Sequence, residues 1–382
     1  MKLEAGTREY SATLRWGCLG FCALVVPFAL MCTGVEILGG ILMRPGEMVL
    51  ALLLATATAV PYGALLLWLD RNEREPWWLV GLAFSWGAVV ATAYSSIVNM
   101  SAAAVGMALF EDEALAQMTA ASLSAPVIEE FTKGVALIAL LVLFRREFDN
   151  VLDGILYGAL VGLGFAWFEN ITYYWQMSEI GLSDMLYNAF GRGVLNGVTG
   201  HPTFTALTGL GVGLIRAQRS GAGRWVLFPI FLGLSIFAHF CWNTFCGVFF
   251  VPATSDAAVH FVAWPIAVMF LQMPFALLLV LVVLVGWRRE SAIIESVLAQ
   301  ESRDLVSASD VAGLLPARRR TQRAWVTLAQ AGVTAWWARL ALDRALVSLA
   351  FARWHHEQEG VGGVDDDPQV RHWRARVRML KS

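Results

Sequence analysis

Glu129, Glu130 and Lys133 stand inside an apolar run that extends from Ala125 to Phe144. Each charge placed in hydrocarbon costs at least ~2.5 kcal/mol, so such groups persist only where partners and a task exist. Three other apolar stretches carry comparable groups: Glu169-Asn170, then Arg192, Asn196 and His201, then His239 and Asn243. Carboxylate and imidazole in a partly dry cavity are equipment for activating water. A desolvated carboxylate serves as general base, and a neutral imidazole can donate to an oxyanion or carry a proton to a leaving amine. The same groups could hold zinc, which polarises water and carbonyl alike; the metal set would be Glu130, Glu169, His201 and His239. The spacing does not match HExxH, so any metal has to be gathered from three or four helices.

The elements that must position these groups follow from the apolar pattern. Of 382 residues, 57% are hydrophobic and only 15% charged, against about a quarter charged in soluble domains. The expected fold is all-α, a polytopic membrane bundle of about eight transmembrane helices plus a C-terminal helical cytoplasmic tail. The spans are expected at about 17–43, 48–69, 77–107, 117–144, 151–175, 186–215, 225–250 and 260–286. Arg71, Arg74, Arg145, Arg146, Arg216, Arg219, Arg224, Arg288 and Arg289 fall in alternate loops on the N-terminal side, whereas the opposite loops hold only Arg44. The positive-inside rule then puts both termini in the cytoplasm. Counted from the cytoplasmic end of each span, Glu130, His201 and His239 are each 14 residues along, or ~21 Å, and Glu169 is 18 along, or ~27 Å. Four helices thus bring ionisable groups to one layer. Glu130 and Lys133 share a helix face, as do His239 and Asn243, while Glu129 points about 100° away from Glu130. Pro126 and Pro202, beside the key residues, are expected to kink their helices and open space. Glu36, inside the first span, is either a second polar site or a helix-end carboxylate.

From Trp287 onward there are 15 Lys/Arg against 11 Asp/Glu, while the preceding residues hold 13 and 19. A basic tail on an apolar body suits a cytoplasmic extension beside anionic lipid. Trp325, Trp336, Trp337 and Trp354 recur at helical spacing, which reads as an amphipathic helix or hairpin on the membrane or bundle, or equally as a small helical domain. Gly360 to Pro368 reads as a flexible acidic linker. The five cysteines show no CxxC spacing and read as small core residues. The expected divisions are an N-terminal segment with the first span (1–47), a core (48–250), a last span (251–286) and the tail (287–382). No nucleotide-binding glycine pattern is present, and no nucleic-acid partner is expected.

At this point the residues resemble a family. Glu129-Glu130-Phe131-Thr132-Lys133 is similar to the EExxK motif of the PrsW proteases, and Phe165 to Asn170 is similar to their FxxxEN motif. His201 to Thr205 and His239 to Asn243 look like their two His-bearing motifs, and Asp153-Gly154 with Tyr157-Gly158 fits the pattern between. The resemblance spans roughly 48–250. It implies a multi-pass protease of the bacterial inner membrane, related to CAAX-processing enzymes and bacteriocin-immunity proteins, acting on a membrane-anchored substrate such as an anti-sigma factor. It also implies that Glu129 and Glu130 are the central acid/base pair, completed by His239 and His201 and supported by Glu169 and Asn170. The expected roles are Glu130 or Glu129 as base, His239 as acid or oxyanion partner, Asn243 as oxyanion donor and Lys133 as orienting charge. Asp153 is a further supporting candidate. The family is called metallo, yet the CAAX relatives suggest that Glu and His can suffice, so zinc stays open.

Two other classes compete with intramembrane peptide hydrolysis. A proton-coupled transporter or channel would use Glu129, Glu130, Glu169 and His201 as a relay, but below that layer only Asp153 offers a step toward the cytoplasm. A non-catalytic sensor would signal through the tail.

Overall fold

The computed structural model describes residues 11–145, 147–218, 221–250, 257–359 and 362–382, and every regular element among them is helical. We number the helices used below α1 (Ala12–Met43), α2 (Pro45–Leu69), α3 (Trp77–Phe110), α4 (Ala125–Leu143), α5 (Val151–Met177), α6 (His201–Ala217), α7 (Leu227–Phe245), α8 (Met273–Leu298), α9 (Ala317–Glu359) and α10 (Pro368–Lys381). The chain divides into a unit of Tyr10–Asp70 with Glu75–Val282 and a second of Arg71–Arg74 with Val283–Ser382.

Among the described residues, six helices are long and apolar enough to cross a membrane: α1, α2, α3, α5, Gly223–Val248 and Val262–Leu298. The expected count of eight is not reached on that criterion. α4 carries Glu129, Glu130 and Lys133, and α6 has only 17 residues because the chain breaks just before it. Both exceptions are helices that carry the chemistry.

α5 is the most enclosed span, and its sequence explains why. Gly154, Gly158 and Gly162 form one small stripe that lets α6 approach closely. A Cβ on Gly158 would lie 2.6 Å from the Thr205 carbonyl oxygen, and one on Gly162 would lie 2.3 Å from that of His201. On another face, a Cβ on Gly164 would lie 1.9 Å from the Phe84 carbonyl oxygen of α3. The contact at Gly162 sets His201 against α5 two turns below Glu169.

Pro202 occupies the first turn of its helix, where a missing N–H costs nothing, whereas Pro126 lies inside a continuous helical run over 113–143, directly after its π-helical part. The irregularity lies just before each: a π-helical segment, Ala120–Ser124, precedes α4, and another, Ala189–Asn196, precedes a 3₁₀ turn at Gly197–Thr199. Gly197 adopts φ +28°, where a Cβ would meet the Tyr62 hydroxyl at 2.4 Å. A further π segment, Cys246–Phe250, follows α7. Such segments occur preferentially at functional sites. Glu36 accepts a hydrogen bond from Thr172 Oγ1 at 3.0 Å. All five cysteines are unpaired and half-buried.

The second unit has its own core of Ile294, Val297, Leu298, Leu314, Leu346, Leu349, Ala350, Val370 and Val377. Its buried Glu301 accepts from Arg353 Nη1 at 2.8 Å and from Arg374 Nη2 and Nε at 2.8 and 2.9 Å. The tail is therefore a packed helical unit rather than a lone amphipathic helix, although α9 bends at Gly332 (φ 79°). The described part of the expected flexible acidic linker is folded: Asp365 pairs with Arg374, and Asp367 accepts from the Gln369 and Val370 amides as cap of α10.

Gly158→Ala should lower stability in detergent by about 1–3 kcal/mol through overpacking, read as a drop in Tm. Gly233→Ala, where nothing lies within 4 Å of the new Cβ, should leave Tm unchanged or slightly raised. For Glu301, burial pushes the carboxyl up, but the arginine hydrogen bonds outweigh it and hold it below its ordinary value. Its stabilisation is then complete above the ordinary carboxylate pKa of about 4.3 and lost as pH falls through the lower folded value. Amide protection at Leu346 and Leu349, the exchange rate relative to the intrinsic rate at the same pH, should fall on that acidification in the parent and should already be reduced at neutral pH in Glu301→Gln.

Candidate active site

Four helices deliver the polar layer. α4 supplies Glu129, Glu130 and Lys133; α5 supplies Glu169 and Asn170; α6 opens on His201; α7 supplies Ser235 and His239. The hub is Lys133, whose side chain is fully buried. Its Nζ donates to Glu130 Oε1 at 2.8 Å and lies 3.0 Å from His201 Nδ1, 3.5 Å from Glu129 Oε2 and 3.6 Å over the Phe165 ring.

The two adjacent glutamates have different surroundings. Glu130 is fully buried and saturated. Its Oε1 takes Lys133 and, at 3.1 Å, His239 Nδ1; its Oε2 accepts from Thr205 Oγ1 and Ser235 Oγ, each at 2.9 Å. The Ser235 hydroxyl also lies 2.6 Å from the Phe204 carbonyl, so its one proton is shared. Glu129 accepts at Oε1 from Asn99 Nδ2 at 3.2 Å, but its buried Oε2 has no hydrogen-bond partner. That oxygen faces His239 Nε2 at 3.8 Å.

Each histidine is backed by a carboxylate. If His239 donates through Nδ1 to Glu130, its Nε2 lone pair is left facing Glu129. His201 Nε2 lies 2.8 Å from Glu169 Oε2, so donation there leaves the Nδ1 lone pair to accept from Lys133. Phe204 stacks on His239 with ring centroids 5.2 Å apart, and Phe165 meets His201 edge-on at 4.9 Å, which holds both imidazoles in plane. Glu169 and Asn170 are in turn gripped by Arg192, through Nη2 at 2.5 Å and Nε at 3.0 Å, and Arg192 lies 3.9 Å over the Tyr173 ring.

The residues present suit a metal. Ligand atoms of Glu129, His201 and His239 all lie within 4.8 Å of one another, and all three residues are buried. Two imidazoles and one carboxylate form a donor set used by catalytic zinc; His201 would offer it Nδ1, where the Lys133 ammonium now stands at 3.0 Å, so a bound metal requires that ammonium to leave the lone pair, while Glu130 and Glu169 back the imidazoles as outer support. Glu129 Oε2 accepts no hydrogen bond and has only the charge of Lys133 at 3.5 Å beside it, so its lone pairs are open to a metal. This triad differs from the expected set of Glu130, Glu169, His201 and His239, because Glu130 and Glu169 stand behind the imidazoles rather than between them.

The structure thus brings together Glu129, Glu130, Lys133, Glu169, Asn170, His201 and His239. It does not bring Asp153, which lies 16 residues below Glu169 on α5, or ~24 Å away. Asp153 accepts from the Asp149 and Asn150 amides and completes a capping box at the helix start. The one lower step of a proton relay is therefore occupied as a cap, and a transporter is not favoured. Asn243, expected as an oxyanion donor, spends its amide on the Ala121 carbonyl at 2.9 Å. Arg192 finds its acidic partner, Glu169, inside the bundle. Asn99, Thr205 and Ser235 were not foreseen as site residues. Thr205 lies four residues after His201 and Ser235 four before His239, so helical spacing was a usable signal for both.

Comparison with known proteins agrees with this geometry. A family model described as PrsW family intramembrane metalloprotease matches residues 75–286. The curated Protease PrsW of Geobacillus kaustophilus (strain HTA426) is 30% identical over 167 residues, covering 43% of this chain and 67% of that protein. No solved structure matches. With apolar spans enclosing a buried glutamate and histidine cluster, and with more than half of its length matched, the chain belongs to the PrsW family of intramembrane metalloproteases, multi-pass membrane peptidases whose substrates are membrane-embedded proteins.

Proposed function

We propose that Glu129 is the general base of peptide hydrolysis and that Glu130 is its fixed support. The observation that carries this is that Glu129 Oε2 accepts no hydrogen bond, has the Lys133 ammonium at 3.5 Å and faces His239 Nε2 across 3.8 Å, while every acceptor position of Glu130 is taken. Water between these two groups loses a proton to Glu129 as its oxygen attacks the scissile carbonyl carbon. The same proton then passes to the amine nitrogen as the C–N bond breaks. Lys133 holds both carboxylates by its charge, and Glu169, fixed by Arg192, which Asn170 anchors in turn, holds His201. Glu129, His201 and His239 would hold the metal, which we assign as zinc; when bound it supplies Lewis acidity toward water and carbonyl, and Glu129 would ligate through one carboxylate oxygen while the other takes the proton.

The remaining assignments rest on charge distribution and on the likeness to the family. The protein lies in a bacterial inner membrane with both termini cytoplasmic, since the alternate loops on that side hold nearly all the basic residues. The protease core spans 48–250, followed by a last span at 251–286 and a tail from 287. The substrate is a membrane-anchored protein of the anti-sigma-factor kind.

Glu129→Gln should lower cleavage by about 10²–10⁴-fold, the usual worth of a positioned acid/base group, with the fold intact by Tm. Membrane peptides that appear in wild-type cells and vanish in Glu129→Gln cells would name the substrate. Glu130→Gln should lose activity and also destabilise the bundle by about 3–5 kcal/mol, because a buried ion pair is broken. If Glu130→Gln retained cleavage and Glu129→Gln did too, the base assignment would be wrong. Purified protein should carry one zinc per chain, and His201→Ala and His239→Ala should each release it.

A further inference from the structure

We infer that the bend of α9 is a membrane-inserting tip that seats the C-terminal unit on anionic lipid. Between Arg323 and Arg339 lie fifteen consecutive residues without a charge, including Trp325, Trp336 and Trp337. In an unbroken helix Trp325 and Trp336 would be ~16 Å apart along the axis. Their ring centroids are 6.4 Å apart, so the chain folds back at Gly332, whose φ of 79° permits the turn. The apolar side chains at this tip are not packed into the unit. Trp325 is 61% exposed, Val333 59% and Trp337 55%, whereas the far ends of both arms are buried at Ala317, Ala345 and Leu346.

Three observations select lipid as the occupant. Tryptophan is the residue of the membrane–water boundary, and here three are gathered at one end of an otherwise polar hairpin. The arms from Ala317 to Arg344 hold six arginines and one acidic residue, Asp343. That residue is buried against Arg339 at 2.7 Å, while Arg318, Arg319 and Arg344 stay exposed, a complement to anionic headgroups. Finally, α8 runs unbroken from the last apolar span into the core of this unit. Trp287, with Arg71 3.7 Å over its ring, is followed at once by Arg288 and Arg289, and the core residue Ile294 comes seven residues later, or ~10 Å on.

The test uses the full chain with its five native cysteines changed to alanine and Val333→Cys carrying a nitroxide. It is reconstituted in vesicles of phosphatidylethanolamine with phosphatidylglycerol. Dissolved oxygen should broaden the label while an aqueous nickel chelate does not. Omitting phosphatidylglycerol or raising salt should reduce that protection several-fold, and combined Trp325→Ser, Trp336→Ser and Trp337→Ser should abolish it. A label open to nickel in the anionic vesicles would overturn the inference. So would dipolar broadening between labels on two copies, which would make the tip a protein interface, or protection that survives loss of the three tryptophans.

Discussion

The buried ammonium of Lys133 is the interaction on which the membrane unit depends. Without it, Glu129 and Glu130 would be adjacent anions in a medium that tolerates neither. With it, one cation lies within 3.5 Å of both carboxylates and within 3.0 Å of an imidazole from another helix. The charge is further tied to the Phe165 face, so Lys133 joins α4, α5 and α6 at one point. Removing either partner of such a pair costs more than the pair itself contributes, because it leaves an uncompensated charge. Chemistry and fold therefore rest on the same nitrogen.

Close backbone approach does the remaining positioning. Small residues let α5 and α6 touch along their length, and departures from regular helix appear where α4 and α6 begin and α7 ends. The 3₁₀ turn before His201 lets that residue start a helix instead of sitting within one, so its side chain enters the layer from a helix end. The regular helices below supply stiffness, and the irregular turns above supply direction. This division explains why two of the four chemistry-bearing segments, α4 and α6, do not meet the length and polarity of ordinary spans.

Much of the candidate site was legible in the sequence because a charge in hydrocarbon is too costly to be incidental. Glu129, Glu130, Lys133, Glu169, His201 and His239 announced themselves in that way, and equal counting along four spans placed them in one layer. The different duties of the two glutamates were not legible. They depend on Thr205, Ser235 and Asn99 arriving from three other helices, and short hydroxyls in apolar runs carry little signal of their own. Asp153 was placed with the site for the opposite reason: it satisfies a local backbone need at a helix start that resembles functional polarity when read along one chain. The span count differed because a break beside Gly197 reads only as a kink until the backbone is seen.

The saturation of Glu130 also fixes the charge balance of the interior. With both imidazoles neutral, Glu129, Glu130 and Glu169 face only Lys133 and Arg192, which leaves the enclosed cluster one positive charge short of neutrality. Every acceptor on Glu130 is filled and Glu169 is held by Arg192 and His201, so the deficit resides on Glu129. The proposed proton transfer from water keeps that total unchanged: it moves the negative charge from Glu129 to the attacking oxygen, and the charge returns to Glu129 when the proton passes to the leaving nitrogen.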